Sequence, residues 1–290
     1  MDQAYNVSSL QRRQNDPKVA DLVALSKTIA TIKETAETPL KIVRIPVENL
    51  AVVGYADSSL YGNGTDLVEQ DQDIARFDKH KLRSQAGAMV TFMDIHEMDT
   101  MGDVKYSVVD WRSRNSHRQH VSTFSAETSA NLDAEGMVLS VRAIAADTLH
   151  GHKFTSILEA GETHLLTRLI TDCKSLYDHL RSDGKVPDCR TTALYISALR
   201  QSCAAGPGYP NKTKVLWVPS RWQLADVLTK RGLDAEFRLL MVRARTRHEE
   251  SAQAIKRGGG RVAPVSEKRA LVRGSKTTLC KPNRGGSKPS

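Results

Sequence analysis

Apolar positions along the chain fall into helical and strand rhythms that predict an order of elements. After a polar stretch at residues 1–16, apolar residues recur at Val19, Leu22, Val23, Leu25, Ile29 and Ile32, an approximate helical stripe started by Asp16-Pro17. A helix of this kind needs a partner surface to cover it. Two short apolar runs follow, LKIVRI and LAVVGYADSS, which read as strands separated by Pro46. Residues 61–85 are polar, contain a GNG turn at 62–64, and read as an excursion. AGAMVTFMDIHEM and KYSVVDWRSRN around DTMGD read as an antiparallel hairpin.

The rhythm then lengthens. STFSAETSANLDAEGMVLSVRAIAADTLHGH has hydroxyl residues at its start and a helical pattern through Leu132, Met137, Val138, Val141, Ile144 and Ala145. LLTRLITD is the next strand, KSLYDHLRS and TTALYISALRQSCAA the next helices, and KTKVLWVP the last strand. SRWQLADVLTKRG reads as a closing helix, with Ser220 as its cap and Gly232 as its stop. The three tryptophans, Trp111, Trp217 and Trp222, read as core or ridge packing.

Composition changes this picture in three places. An apolar share of 40% in 290 residues is enough for a real core. No window approaches the roughly 18 consecutive apolar residues of a membrane span, and the N-terminus lacks a signal-like apolar stretch, so an intracellular protein of cytoplasm or nucleus is expected, with no membrane partner. Charge is unevenly spread. Ten of the 42 basic residues but one of the 33 acidic residues follow Glu250, so the net charge of +9 lies in the Gly-, Ser- and Pro-rich tail. The tail, residues 246–290, reads as disordered. Its charges suit sequence-independent phosphate binding, with read-through or localisation as the alternatives. Cys173, Cys189, Cys203 and Cys280 show no CxxC pair and read as reduced thiols.

Four acidic residues stand where packing gains little from a charge. Asp57 interrupts LAVVGYAD, Glu127 lies in the first turns of the long helix, Asp172 ends LLTRLITD, and Asp226 lies after the last strand. Each is at an element end that can converge on one edge of a sheet. Singly, a helix-start Glu is a dipole partner and an exposed Asp is solvated surface. Together they would repel one another unless cations sat between them. Hard oxygen ligands suit Mg²⁺ or Mn²⁺, and two such ions roughly 3.5–4 Å apart serve phosphodiester hydrolysis.

VGYADSS, FSAETSA, LITDCKSLYD and VPSRWQLADVLTK, in that order, resemble the type 1 ribonuclease H domain of copia-type retrotransposon polyproteins over about residues 50–232. The most specific pieces are TDCKSLYD and WVPSRWQLADVLTK. The resemblance implies an α/β, ribonuclease H-like fold: a mixed five-stranded central sheet, its first three strands antiparallel, flanked by helices. It divides the chain into a connecting segment with one helix (1–48), the domain (49–245) and the basic tail (246–290). It implies two Mg²⁺ or Mn²⁺ ions held by Asp57, Glu127, Asp172 and Asp226, and hydrolysis of the RNA strand of RNA/DNA hybrids. Asp57 and Asp172 would anchor both ions, with Glu127 and Asp226 completing one site each. The implied partners are the hybrid and a reverse transcriptase module, in trans or in a longer polyprotein.

The chain departs from the family's pattern in two places. One acid stands in SAETSA where the family commonly has two, which leaves Glu135 and Asp133 as competitors for Glu127. No His lies between Leu180 and Asp226, where cellular ribonucleases H place one. A catalytically silent nucleic-acid-binding remnant is the rival reading. An integrase-like transposase fits poorly, because its acids run Asp, Asp, Glu.

Further residues have two readings each. Lys174 and Ser175, at a helix start, would meet phosphates or be solvated. Ser58 and Ser59 would meet the ribose 2′-hydroxyl, on position alone. Arg112, Arg114, His117, Arg118 and His120 would line a phosphate path or form an exposed polar turn.

Overall fold

The computed structural model describes residues 3–11, 13–60, 84–99, 103–116, 118, 120, 122–151, 165–182, 186–203, 213–230 and 232–247. Residues 61–83 of the excursion predicted at 61–85, including the GNG turn, lie outside them, whereas Gln85 opens a strand; His117, Cys280 and all of the tail beyond residue 247 also lie outside the described residues.

These residues form a mixed α/β fold around one six-stranded sheet. The strands are β1 (Leu50–Ser59), β2 (Gln85–Asp94), β3 (Asp103–Asn115), β4 (Leu166–Thr171), β5 (Lys214–Trp217) and β6 (Arg245–Arg247). Their order across the sheet is β5-β4-β1-β2-β3-β6. β1, β2 and β3 are antiparallel neighbours, while β4 runs parallel to β1 and β5 parallel to β4. The C-terminal ends of β1, β4 and β5 therefore share one edge of the sheet.

The helices are α1 (Ala4–Gln11), α2 (Val19–Thr35), α3 (Ile95–Asp99), α4 (Thr123–His150), α5 (Lys174–Arg181), α6 (Arg190–Cys203) and α7 (Asp234–Arg243). α4 covers one face of the sheet. Its start is fixed by Ser122, whose hydroxyl accepts from Ser125 N at 3.1 Å, and its end by Gly151 at φ 72°, a left-handed conformation that glycine adopts without strain. Ala130, Ala134, Met137, Val138 and Val141 form its buried stripe and pack against Val52, Ala56, Val90 and Leu169. Gly54 makes the approach close, since a Cβ there would lie 2.4 Å from Val138 Cγ2.

The other face carries Ala51, Val53, Tyr55, Met89, Met93 and Ile170, and Leu224, Ala225 and Leu228 pack onto it. Strand side chains alternate between faces, so the two sets interleave along β1. Burying each of Tyr55, Met89 and Ile170 contributes roughly 1.5–3 kcal/mol.

Several expectations change. The sheet has six strands rather than five, because Arg245–Arg247 adds to β3. This polar triplet has no hydrophobic rhythm to announce it, and it carries the folded chain past the boundary expected at 245. LKIVRI forms no strand. It is tied to the sheet by the Ser107 hydroxyl, which accepts from Val43 N at 3.0 Å. SRWQLADVLTKRG is not one helix but two 3₁₀ turns, Ser220–Trp222 and Leu224–Leu228, with Gln223 capping the second. Gly232 has a left-handed φ of 82°, but the second turn ends at Leu228, so it is not the expected helix stop. The 1–48 segment holds two helices, because the polar N-terminus forms α1 and its Ser8 hydroxyl accepts from Gln85 Nε2 at 3.0 Å. The α2 stripe has no cover among the described residues, with Val19 79% and Leu22 59% exposed.

A candidate metal centre at the sheet edge

The alternation along β1 and β4 decides where the acids point. Tyr55 pairs with Ile170 in the parallel ladder, and both belong to the face that receives Leu224–Leu228. Two residues further on stand Asp57, still within β1, and Asp172, one residue past the end of β4. Asp226 comes to them from the 3₁₀ turn, whose Leu224, Ala225, Val227 and Leu228 are buried. Carboxylate oxygens of Asp57, Asp172 and Asp226 lie within 4.8 Å of one another.

The approach of the turn depends on Gly87, which faces Asp57 across the β1–β2 ladder. A Cβ at Gly87 would lie 2.8 Å from Leu228 Cβ and from Thr229 Cγ2. Glycine here lets residues 225–229 lie directly on the strand and so brings Asp226 and Thr229 to the cluster.

Glu127 reaches the same edge from the opposite face. It sits on the buried stripe of α4 near its start, and its Oε1 accepts from Ser58 N at 3.1 Å. Its Oε2 is buried without a hydrogen-bond partner among the described residues. The two competitors are elsewhere. Glu135 accepts from Ser202 at 2.6 Å and Thr213 at 2.7 Å, and Asp133 pairs with Arg114 at 2.6 Å.

Each cluster carboxylate is held by a neighbour. The Thr229 hydroxyl donates to Asp57 Oδ2. The Ser220 hydroxyl donates to Asp172 Oδ2 at 2.6 Å, and Trp217 Nε1 to the Asp172 carbonyl at 2.9 Å. Lys230 Nζ lies 2.6 Å from Asp226 Oδ2, whereas Asp226 Oδ1 is buried without a partner among the described residues. Ser220 is thus an orienting group rather than a helix cap.

The electrostatics follow from this crowding. Burial, followed by the charges of Asp57 and Asp172, pushes Glu127 well above the usual carboxylate range. Burial also raises Asp57, with Asp172 adding to the effect and Thr229, Lys230 and the Ser58 amide opposing it. Asp226 is pushed up to about 7 by burial and then by Asp57. Burial disfavours the Lys230 ammonium, but its bond to Asp226 and the nearby acids outweigh that and raise its pKa.

Three hard-oxygen donors converging with unsatisfied buried oxygens form a set that could hold a metal ion. Asp57 and Glu127 are 3% and 5% exposed, while Asp172 and Asp226 are half-buried, so the cluster opens to solvent on the β4 and 3₁₀-turn side.

The expected nucleic-acid contacts fare unevenly. Ser58 is buried with its hydroxyl unpartnered among the described residues, so it contributes its backbone N–H to Glu127 and is not available to a ribose. The Ser59 hydroxyl donates to the Thr229 carbonyl at 3.2 Å. Lys174 pairs with Asp178 one turn on and lies over the Tyr177 ring, and Ser175 is exposed beside Cys173. Arg112 is exposed on β3, and Arg118 donates to the Tyr195 hydroxyl at 2.9 Å. His120 is buried, 2.7 Å from the Ser116 hydroxyl, and ties the β3–α4 connection together. Sequence reasoning missed Thr229, Lys230 and Ser220 as site residues. Only the i, i+4 spacing of Asp226 and Lys230 signalled one of them.

Comparison with family models, curated proteins and solved structures returned no match. Among the described residues, no helix is long and apolar enough to cross a membrane.

Proposed function

We propose that the chain is a ribonuclease H-like, metal-dependent endonuclease of copia-type retroelement origin, acting on the RNA strand of RNA/DNA hybrids. The observation that carries this reading is the meeting of Asp57, Asp172 and Asp226 within 4.8 Å at the end of two parallel strands, with Glu127 reaching the same edge. The sheet order supports it too: three antiparallel strands with two parallel strands added beside β1.

Asp57 and Asp172 would anchor two Mg²⁺ or Mn²⁺ ions, with Glu127 and Asp226 each completing one site. The ions would supply activation of the attacking water and neutralisation of the leaving oxygen. The protein's own part is orientation. Thr229 fixes Asp57, Ser220 fixes Asp172 and the Ser58 amide fixes Glu127. The half-buried Asp172 and Asp226 mark the side from which a phosphodiester enters. In the reaction, water oxygen forms a new bond to phosphorus and the P–O3′ bond breaks, leaving a 5′-phosphate and a 3′-hydroxyl. An intracellular setting and a reverse transcriptase module as partner belong to the same reading.

The test is Mg²⁺-dependent cleavage of a labelled RNA/DNA hybrid by the full chain beside Asp172→Asn. Cleavage by the first and none by the second is expected. Equal inertness of the two, with hybrid binding retained, would replace the nuclease by a silent binding module.

A further inference from the structure

Lys230 sits beside the acids but has no place among the groups expected to hold ions. Its ammonium is 2.6 Å from Asp226 Oδ2, and its side chain is 35% exposed, at the mouth of the cluster. Its position is fixed by the backbone, since Lys230 N donates to the Asp226 carbonyl at 2.9 Å. The residue before it, Thr229, is turned inward to Asp57. Consecutive residues thus supply a neutral donor to the buried acid and a cation to the open one. The ammonium pairs with Asp226 Oδ2, and Oδ1 is buried without a hydrogen-bond partner among the described residues.

Counting charge gives the cation a purpose. Four ionised carboxylates and one ammonium sum to minus three. Two divalent ions bring the site to plus one, the complement of a single phosphodiester. Without Lys230 the loaded site would be neutral and the empty one more acidic.

We propose that Lys230 is a resident cation of the carboxylate site, which weakens its hold on divalent ions and helps bind the anionic phosphodiester. This rests on the nuclease reading. The two effects have opposite signs, which sets the inference apart from an ordinary i, i+4 surface pair, which would affect neither ion nor substrate.

The experiment compares full-length wild type, Lys230→Gln and Lys230→Arg. Mg²⁺ alone is titrated into the metal-free proteins by calorimetry, and KM and kcat are measured for a labelled RNA/DNA hybrid. Lys230→Gln should bind Mg²⁺ roughly three- to tenfold more tightly, the scale of one partly exposed charge. Its KM for the hybrid should rise by roughly tenfold while kcat changes less, as for a lost charge-assisted contact made in substrate binding. Lys230→Arg, which keeps the charge, should stay near wild type in both. Unchanged Mg²⁺ affinity and KM in Lys230→Gln overturn the inference. So does a joint weakening of both, which would make Lys230 a brace for Asp226. A wild type that neither binds Mg²⁺ nor cleaves the hybrid overturns the nuclease reading itself.

Discussion

Replacing Asp226 by Asn should stabilise the metal-free protein while destroying the site. Unit charges 4.8 Å apart repel by roughly 3 kcal/mol at an effective dielectric constant near 20, and Asp226 meets both Asp57 and Asp172. A second route gives the same scale. Burial and then Asp57 push Asp226 up to about 7 from the usual 3.8, which corresponds to about 4 kcal/mol. Loss of the Lys230 pair, which is partly exposed, gives back up to about 1 kcal/mol. A net gain of about 2 kcal/mol is expected at pH 8, or roughly 4–8 °C in Tm for a folded unit of this size. The sign follows from linkage. With the folded-state pKa above the unfolded value, stability is fully present below about pH 4 and lost as pH rises through about 7. The Asn gain should therefore shrink to less than about half at pH 5. Mg²⁺ at ten times its Kd should stabilise wild type by about 1.4 kcal/mol and the variant by less. The assay is differential scanning calorimetry at the two pH values with and without Mg²⁺. A Tm at pH 8 that falls or stays unchanged, or a gain equal at pH 5 and pH 8, would refute the electrostatic reasoning.

Other positions test separate parts of the argument. Glu127→Gln should keep the Ser58 bond through its amide oxygen and raise stability above pH 5, because the folded-state pKa is raised. Hybrid cleavage should fall by on the order of 100-fold, the scale of losing one charge-stabilising group, as read by kcat/KM. Gly87→Ala should cost about 1–3 kcal/mol in denaturant unfolding and lower cleavage as well, since its Cβ would push on Leu228 and Thr229. Gly136→Ala is its contrast: nothing lies within 4 Å of the added Cβ, so the helix should gain about 0.4–1 kcal/mol with cleavage unchanged. Ser58→Ala should leave hybrid KM and stability near wild type, because the buried hydroxyl has no partner among the described residues and the backbone N–H remains. A large rise in KM there would restore the ribose contact that burial argues against.

What the sequence made legible was the strand and helix order around the acids, and the reason is local. Asp57 and Asp172 stand out because each breaks an apolar strand near its end, where alternation says which face a side chain takes. Glu127 is harder to single out because three acids lie within little over two turns of one helix, and only the packing of α4 separates the one facing Ser58 from the two paired elsewhere. The last segment misled for a physical reason. SRWQLADVLTK has helical spacing, yet its apolar residues must lie flat on β2 over Gly87, and two tight 3₁₀ turns achieve that contact. The same tertiary demand is invisible in the polar triplet of β6, whose strand conformation comes from pairing with β3 rather than from its own residues.

The geometry of that last segment also explains why one short stretch carries so much of the site. Once Leu224, Ala225 and Leu228 are buried on the sheet, the turn has no freedom to present Asp226 anywhere but toward Asp57. Thr229 then falls on Asp57 and Lys230 on Asp226, so packing energy fixes the positions of three polar groups that would otherwise repel or solvate. Packing on this face thus offsets the electrostatic cost of the cluster, which is why removing a carboxylate should stabilise the fold and removing Gly87 should not.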